Sequence, residues 1–437
     1  MARFSRVAHT ERGLDRLINF TDAVVAIAAT LLVLPIVEIY NDALSGTGDL
    51  ESLYWDPQIR LALRQFSLVV GFTWMTVLWS HHHEIFERVK DYSLGLITLN
   101  FLWLMAMVFF TVPVGLIFSP EILYSNGIAA LYLANLGVIF VLLALTKIYV
   151  FQHPQLLIDP SQKLGKKYFI TVFISPAILF VGAFAALFVG TWALPIFFLI
   201  IPIYYVIDRY KPPPPPQTER GMDRVVNFSD AVVAIAITLL ILPLVDDIKD
   251  LYSSPDVSLG EITAKAITFA LVFWLMSRQW LINHRLFENV KDYSQPLLRL
   301  TFLWLLFMVL VVIPSNLMGE GIVATGQSTQ ESQALTAVAP NVTIRLGLWF
   351  GLIALMTAFI ARHLQRHPEL LVDPSQPPSP RASYYTAILY FALGALGIPL
   401  YLAGYGSVAY WSFGLLLLLP LMGRWAARRG AAKVTQP

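Results

Sequence analysis

The chain has no cysteine, little charge and no nucleotide-binding motif. The lack of cysteine excludes disulfides, thiolate nucleophiles and cysteine-ligated metals. Charged residues are 13% of the 437 residues, whereas soluble domains carry about 25%. The net charge of +2 gives no indication of a nucleic-acid partner. Walker-A and dinucleotide-binding patterns are absent, so we expect neither ATP-driven chemistry nor a cofactor.

Apolar residues are abundant instead, at 57% of the chain. Because one membrane-spanning helix needs about 20 mainly apolar residues, the sequence predicts an all-α integral membrane protein with twelve transmembrane helices. The first 15 residues are polar, so we expect no cleavable signal peptide. The twelve apolar runs lie near 20–38, 62–82, 95–117, 128–150, 168–189, 191–207, 228–245, 264–283, 296–318, 344–361, 384–403 and 406–423.

Several sequence blocks occur twice in the same order, which indicates an internal duplication. RLINFTDAVVAIAATLLVLPIVE (16–38) matches 224–246, HHEIFERVKDYS (82–93) matches 283–294, and HPQLLIDPSQ (153–162) matches 367–376. We therefore expect two six-helix repeats, 1–208 and 224–437, joined by a linker at 209–223. Five consecutive prolines in this linker predict a stiff polyproline spacer. The prolines of the HPQLLIDPSQ block predict a structural loop there.

The distribution of Lys and Arg predicts the orientation in the membrane. Basic residues fall on one side in the short loops, and the opposite side carries mainly Asp and Glu. We therefore expect both termini to be cytoplasmic, which requires an even number of spans. With six helices each, the two repeats enter the membrane in the same direction and are parallel. This arrangement suits a pore on a pseudo-symmetry axis or a transporter built from two parallel halves.

One motif begins the first apolar run of each repeat, with the pattern Arg-x-x-x-Phe-[Thr/Ser]-Asp. An Asp so near an apolar run is costly unless it is paired or hydrated. Three interpretations remain open: an N-terminal helix cap, a structural anchor network, and direct ion binding. Capping would not explain the Arg and the Phe at fixed spacing. The residues are Arg16, Phe20, Thr21 and Asp22 in the first copy, and Arg224, Phe228, Ser229 and Asp230 in the second.

This motif, followed by Ala-x-x-Ala-Ile-x-x-Thr-Leu-Leu, resembles the signature of the transmembrane protein 175 family of endolysosomal potassium channels and prokaryotic relatives. The resemblance implies that the first helix of each repeat lines a central pore. It also implies that a two-repeat chain forms a homodimer, which brings four such helices together. The narrow point would be formed by Ile27 and Ile235, with Thr30 and Thr238 three residues further along.

The residues that follow on the same helix face are apolar until an acid ends the series. An Ile/Leu stripe of this kind is also compatible with ordinary helix packing, and only the resemblance favours a pore. In a pore, the isoleucines would form a hydrophobic constriction, and the acids at the outer mouth would concentrate cations. No TVGYG-type filter is present, so we expect a weaker K⁺ preference than filter-bearing channels have. The stripe continues as Leu31, Leu34 and Glu38, and as Leu239, Leu242 and Asp246.

Three consecutive histidines, His81 to His83, end the second apolar run. Adjacent residues on a helix point about 100° apart, so they do not converge on one metal ion. In the resembling family a histidine here belongs to a hydrogen-bond network near the signature, and His82 fits that position. Asn283 stands there in the second repeat and does not titrate. Arg278 has no basic counterpart in the first repeat, where Val77 stands.

Together these features predict a potassium-permeable cation channel rather than an enzyme, with K⁺ as the permeant ion and the lipid bilayer as its surroundings. The alternative is a secondary cation or proton-coupled transporter with two parallel halves. A membrane enzyme that uses about eight clustered histidines is disfavoured because four of the eight, His9, His153, His363 and His367, are scattered along the chain. We expect a prokaryotic plasma membrane as the location, since no sorting signal is evident.

Overall fold

The computed structural model describes residues 11–34, 57–117, 125–165, 171–200, 219–242, 244–245, 259–315 and 330–403. These segments are helical apart from turns, loops and two isolated antiparallel bridges. The α-helices are α1 (Glu11–Leu31), α2 (Pro57–Phe86), α3 (Leu94–Phe109), α4 (Thr111–Ile117), α5 (Asn126–Gln152), α6 (Ile174–Val189), α7 (Glu219–Leu239), α8 (Leu259–Phe287), α9 (Gln295–Leu310), α10 (Gln330–Arg366) and α11 (Arg381–Leu402). Short 3₁₀ helices cover Pro154–Leu156, Gly190–Leu199 and Pro368–Leu370.

The two repeats have matching helix lengths and boundaries. The signature helices α1 and α7 each have 21 residues and begin and end at equivalent positions. The third helices of the two repeats, α3 and α9, each have 16 residues. In each repeat a three-residue 3₁₀ turn follows the same His-Pro step.

Six helical stretches within the described segments are long and apolar enough to cross a membrane. They correspond to predicted runs three to five of each repeat. The second helices are also long, with 30 and 29 residues, but neither they nor the signature helices are among the six. The predicted run 406–423 lies outside the described residues, so twelve spans stay a prediction. The six are Leu94–Ile117, Asn126–Gln152, Ile174–Ile196, Gln295–Ser315, Thr343–Arg366 and Arg381–Leu400.

The duplicated Lys-Asp-Tyr-Ser sequence is a capping turn. In the first repeat the Asp91 carboxylate accepts from Tyr92 N at 2.7 Å, and Ser93 Oγ accepts from Leu96 N at 3.2 Å to cap α3. Such side-chain acceptors satisfy backbone N–H groups that lack an intrahelical partner. The second repeat has the same bonds, from Tyr293 N to Asp292 Oδ1 and from Leu297 N to Ser294 Oγ.

The His-Pro-x-Leu-Leu-x-Asp-Pro block is also structural, because it pairs with the residues around the capping turn. Val89 bridges to Leu157 in the first repeat and Val290 to Leu371 in the second. Each bridge is flanked by two backbone hydrogen bonds of 2.9–3.0 Å. These loops are therefore held together in each repeat, and their duplicated sequences follow from a duplicated contact.

The chain forms two compact units. The first contains Met1–Ile235, Asn289–Leu306 and Pro368–Pro374, so it includes the start of the second signature helix. In this unit α5 packs against α6 and α3, and α1 packs against α3 and α2. In the second unit α10 packs against α11. Their close approach requires glycine, because a Cβ at position 394 would lie 2.9 Å from the Cα of Gly347.

Candidate functional site in the signature helices

A buried ion pair joins the two copies of the signature. Arg224 of the second copy donates from Nε to Asp22 Oδ2 at 3.0 Å and from Nη2 to Asp22 Oδ1 at 2.7 Å. Trp79 on α2 donates from Nε1 to the same Oδ1 at 2.8 Å. Both charged residues are buried, with exposures of 1% and 2%. Bidentate Arg–carboxylate pairs of this kind are strong and directional.

The fixed spacing of Arg and Phe in the motif has a structural reason. Arg224 and Phe228 are four residues apart on α7 and therefore share one helix face. The Trp79 ring stacks on Phe228 with centroids 4.5 Å apart, and the Arg224 guanidinium lies 5.6 Å from the Trp79 centroid. Phe302 packs edge-on against Trp79. Trp79, at the centre of this cluster, was not among the predicted site residues, although its Trp-x-x-x-His spacing to His83 recurs between Trp280 and His284.

A second chain of hydrogen bonds starts at Thr21. Its hydroxyl accepts from Asn100 Nδ2 at 2.8 Å, and Asn100 Oδ1 lies 2.8 Å from His82 Nε2. His82 is stacked between Phe86 and Trp103, with centroids 4.2 and 4.3 Å away. All three polar residues are buried. His82 thus connects the end of α2 to α3 and, through Asn100, to α1.

The capping interpretation of the motif is wrong. Helix α1 begins at Glu11, ten residues before Thr21, so Thr21 and Asp22 lie inside the helix. The Thr21 hydroxyl donates to Leu17 O at 2.8 Å rather than capping an N-terminus. The apolar pattern had marked only the part of the helix that follows residue 20.

The first signature copy has different surroundings from the second. Phe20 is 50% exposed and Arg16 is exposed, whereas Phe228 and Arg224 are each 1% exposed. Phe20 contacts Phe101 edge-on at 5.9 Å. In the second copy Ser229 is buried and Asp230 is half-buried. Asn283, which replaces His82, is also buried.

The predicted pore-facing residues differ in exposure. Ile27 is 45% exposed, although Ala26 and Ala28 beside it are fully buried. Thr30 is fully buried, and its hydroxyl donates to Ala26 O and Ile27 O, whereas Thr238 is exposed. Glu38 and Asp246 lie outside the described residues. The others are half-buried or exposed: Leu31, Leu34, Ile235, Leu239 and Leu242.

The three consecutive histidines point to different partners. His81 Nδ1 lies 2.7 Å from Val77 O, His82 faces Asn100, and His83 Nε2 lies 3.0 Å from the Tyr293 hydroxyl. No group of three or more potential metal ligands occurs in the part of the chain that the structure describes. In the second unit Arg278 lies 5.9 Å from the Trp274 ring centroid, a cation–π contact.

The buried ion pair gives a direct stability prediction. Asp22→Asn leaves the Arg224 charge buried without its counter-ion, and breaking a buried pair in this way costs about 3–5 kcal/mol. We expect a large fall in the thermal unfolding midpoint of the full chain in detergent. Asp15→Asn is the matched control, because the Asp15–Arg220 pair at 3.1 Å is partly exposed and exposed pairs contribute about 0–1 kcal/mol. Equal, small losses in both variants would contradict the anchoring role.

The sequence was compared with protein families and characterised proteins. A family profile described as endosomal/lysosomal potassium channel TMEM175 matches residues 16–111 and 224–312, one region in each repeat. The human endosomal/lysosomal proton channel TMEM175 is 24% identical over 328 residues, covering 67% of this chain and 63% of the human protein. The zebrafish protein of that name is 27% identical, covering 63% of this chain and 58% of its own length.

A prokaryotic relative is also similar. A protein from Streptomyces collinus named as a potassium channel is 29% identical over 181 residues, covering 40% of this chain and 79% of that protein. The chain thus spans about three fifths of the vertebrate relatives and most of the bacterial one. The chain is therefore similar to the TMEM175 channel family over two regions, one in each repeat.

Proposed function

We propose that the chain is a potassium-permeable cation channel in which ions move passively through a central pore narrowed by Ile27 and Ile235. The exposure of Ile27 carries this proposal. It lies 45% exposed between fully buried alanines, five residues after an Asp that is fixed by Arg224 and Trp79. A helix anchored on its buried face presents a fixed apolar side chain on the other. The names of the relatives support a channel rather than an enzyme.

We further propose twelve spans with both termini cytoplasmic. Helices of 29 and 30 residues, such as α8 and α2, are about 44–45 Å long at 1.5 Å per residue, which exceeds a hydrocarbon core of ~30 Å. The bias of Lys and Arg places the capping turns and the linker in the cytoplasm. A prokaryotic plasma membrane fits the Streptomyces relative.

Selectivity would arise from side chains and pore width rather than from backbone carbonyls. A ring of isoleucines excludes water when narrow, so an open pore must widen enough for a partly hydrated cation. The vertebrate relatives are named proton channels and the bacterial one a potassium channel. Proton permeation is therefore the second candidate activity, and a coupled transporter is the third.

Single-channel recording in planar bilayers distinguishes these activities. With K⁺ on one side and Na⁺ on the other, we expect discrete current steps and a reversal potential shifted toward the K⁺ equilibrium value. A pH gradient imposed in symmetrical K⁺ reports proton permeation as a separate shift. Slow, saturable flux in liposomes without current steps would favour the transporter over the channel.

The constriction is tested by shortening both isoleucines. Ile27→Ala with Ile235→Ala should increase unitary conductance and weaken K⁺ over Na⁺ selectivity, because the pore loses its narrowest side chains. Val25→Ala with Val233→Ala is the matched control. These valines lie on the same two helices but are buried, so their loss should reduce stability without widening the pore. Unchanged conductance in the isoleucine variant would refute the assignment.

We propose that two chains form a homodimer with four signature helices. Within one chain, Asp22 of the first repeat is paired with Arg224 of the second. If the two signature helices of one chain formed the pore alone, Arg16 would be buried against Asp230 in the same way as Arg224 is against Asp22. Arg16 is instead exposed. A second copy of the chain supplies the equivalent junction, with Arg16 of each protomer facing Asp230 of its partner. A two-fold axis creates this junction twice.

A charge exchange tests this junction. Arg16→Asp should shift the purified protein from dimer to monomer in light scattering, because it places two carboxylates opposite each other. Adding Asp230→Arg in the same chain should restore the dimer. The Arg224–Asp22 pair is unchanged in both variants and controls for folding. A dimer that persists in Arg16→Asp, or a double variant that stays monomeric, would contradict the proposed contact.

A further inference from the structure

A buried carboxyl group that the proposed function does not use lies beside the ion pair. Glu87 directly follows α2 and is 2% exposed. Its Oε2 accepts a hydrogen bond of 2.5 Å from the Tyr293 hydroxyl, and its Oε1 lies 3.7 Å from His83 Nε2. The same hydroxyl lies 3.0 Å from His83 Nε2. His83 and Glu87 belong to the first repeat and Tyr293 to the second, so this cluster also crosses the repeat boundary.

The second signature helix closes the site on its remaining side. A Cβ at Gly221 on α7 would overlap Glu87 Oε1, so a larger residue there would displace the carboxyl group from its present position. Arg224, one turn further along α7, donates from Nη1 to the His83 carbonyl at 3.4 Å. Glu87 therefore touches the part of α7 that carries the ion pair.

In the described segments, no Lys or Arg side chain is ion-paired with Glu87. Arg224 is the nearby cation, and its two shortest hydrogen bonds go to Asp22. Two further carboxylates act on Glu87, those of Glu84 on α2 and of Asp292 in the loop before α9. Glu84 is itself paired with Arg88 at 3.4 Å and with Lys147 at 3.7 Å. Among the described residues, the polar side chains that contact the Glu87 carboxyl group are those of Tyr293 and His83.

We propose that Glu87, His83 and Tyr293 form a proton-binding site that ties the first repeat to the second signature helix. When the proton is bound, the carboxyl group is neutral and fits the space left by Gly221 without a counter-ion. When the proton leaves, a buried negative charge faces Glu84 and Asp292, which weakens the junction. In the orientation proposed above, this site senses cytoplasmic pH.

The electrostatics of the site agree with this geometry. Burial raises the pKa of Glu87 to about 7 from an ordinary value of 4.5, and Glu84 and Asp292 add to the rise, while the Tyr293 hydrogen bond and Arg224 oppose it. Burial also raises the pKa of Tyr293, so its hydroxyl stays protonated and can donate. Because the folded-state pKa of an acid is raised, its stabilising effect is complete below pH 4.5 and is lost as the pH rises to about 7.

The first test measures protonation and stability and does not depend on ion conduction. In infrared difference spectra between pH 6 and pH 8, we expect the full chain to lose the C=O stretching band of a protonated carboxylic acid. The Glu87→Gln variant should lack this change. The thermal unfolding midpoint should fall less steeply over this range in Glu87→Gln than in the unmodified protein. Glu369→Gln, which removes an exposed carboxylate, should behave as the unmodified protein.

A second variant tests the direction in which the Glu87 titration moves. The Tyr293 hydrogen bond favours the carboxylate form, so Tyr293→Phe should move the infrared titration to higher pH. Glu87→Gln carries no charge at this site, and we expect it to fold at pH 8. A pH-dependent band that survives in Glu87→Gln, or a Tyr293→Phe titration that does not move upward, would overturn the proposal.

The functional consequence rests on the proposed channel activity and is measured separately. Potassium current should change between pH 6 and 8 on the side of the capping turns, and Glu87→Gln should keep its pH 6 value throughout. Equal pH dependence in Glu87→Gln would overturn the regulatory role. Failure to observe any current would instead count against the proposed function and would leave the infrared result standing.

Discussion

The structure around the signature depends on one electrostatic constraint: the buried guanidinium of Arg224 needs a carboxylate. Asp22 fulfils this need with both oxygens, and Trp79 completes the bonding of Oδ1. An unpaired charge at this depth would cost several kcal/mol. Phe228 stacks on Trp79 and keeps water from the pair. The start of α7 is therefore held against the first repeat by polar and aromatic contacts together.

Duplication places the same side chains in two environments. The helices α1 and α7 have matching lengths and boundaries, yet Phe20 is half exposed and Phe228 is buried. Identical local sequence fixes the helix, whereas burial depends on which neighbour is present. The second copy has its neighbour within the chain. The exposed face of the first copy is the one that a partner chain would cover in the proposed homodimer.

The fold class and the repeat could be predicted from the sequence. The length of the apolar runs indicated membrane helices, and the matching sequence blocks indicated the duplication. The prolines of the duplicated His-Pro block also predicted a structural loop, whereas the capping role of Lys-Asp-Tyr-Ser was not predicted. The partner of Asp22 could not be predicted in this way, since spacing along one helix carries no information about contacts between repeats. The cap was among the open interpretations because the apolar run begins at residue 20, while α1 begins nine residues earlier at Glu11. Arg and Phe at four-residue spacing could have indicated a shared packing face.

The ion pair also bears on the acid that lies next to it, Glu87, whose pKa is raised chiefly by burial. Two carboxyl groups, Asp22 and Glu87, are within the influence of a single guanidinium in a region of low dielectric constant. Arg224 directs its two shortest hydrogen bonds to Asp22, so ionisation of both acids would leave one negative charge uncompensated. The cheaper state therefore holds a proton on Glu87. A single charge-pairing constraint thus determines how the repeats are joined and where a proton is held.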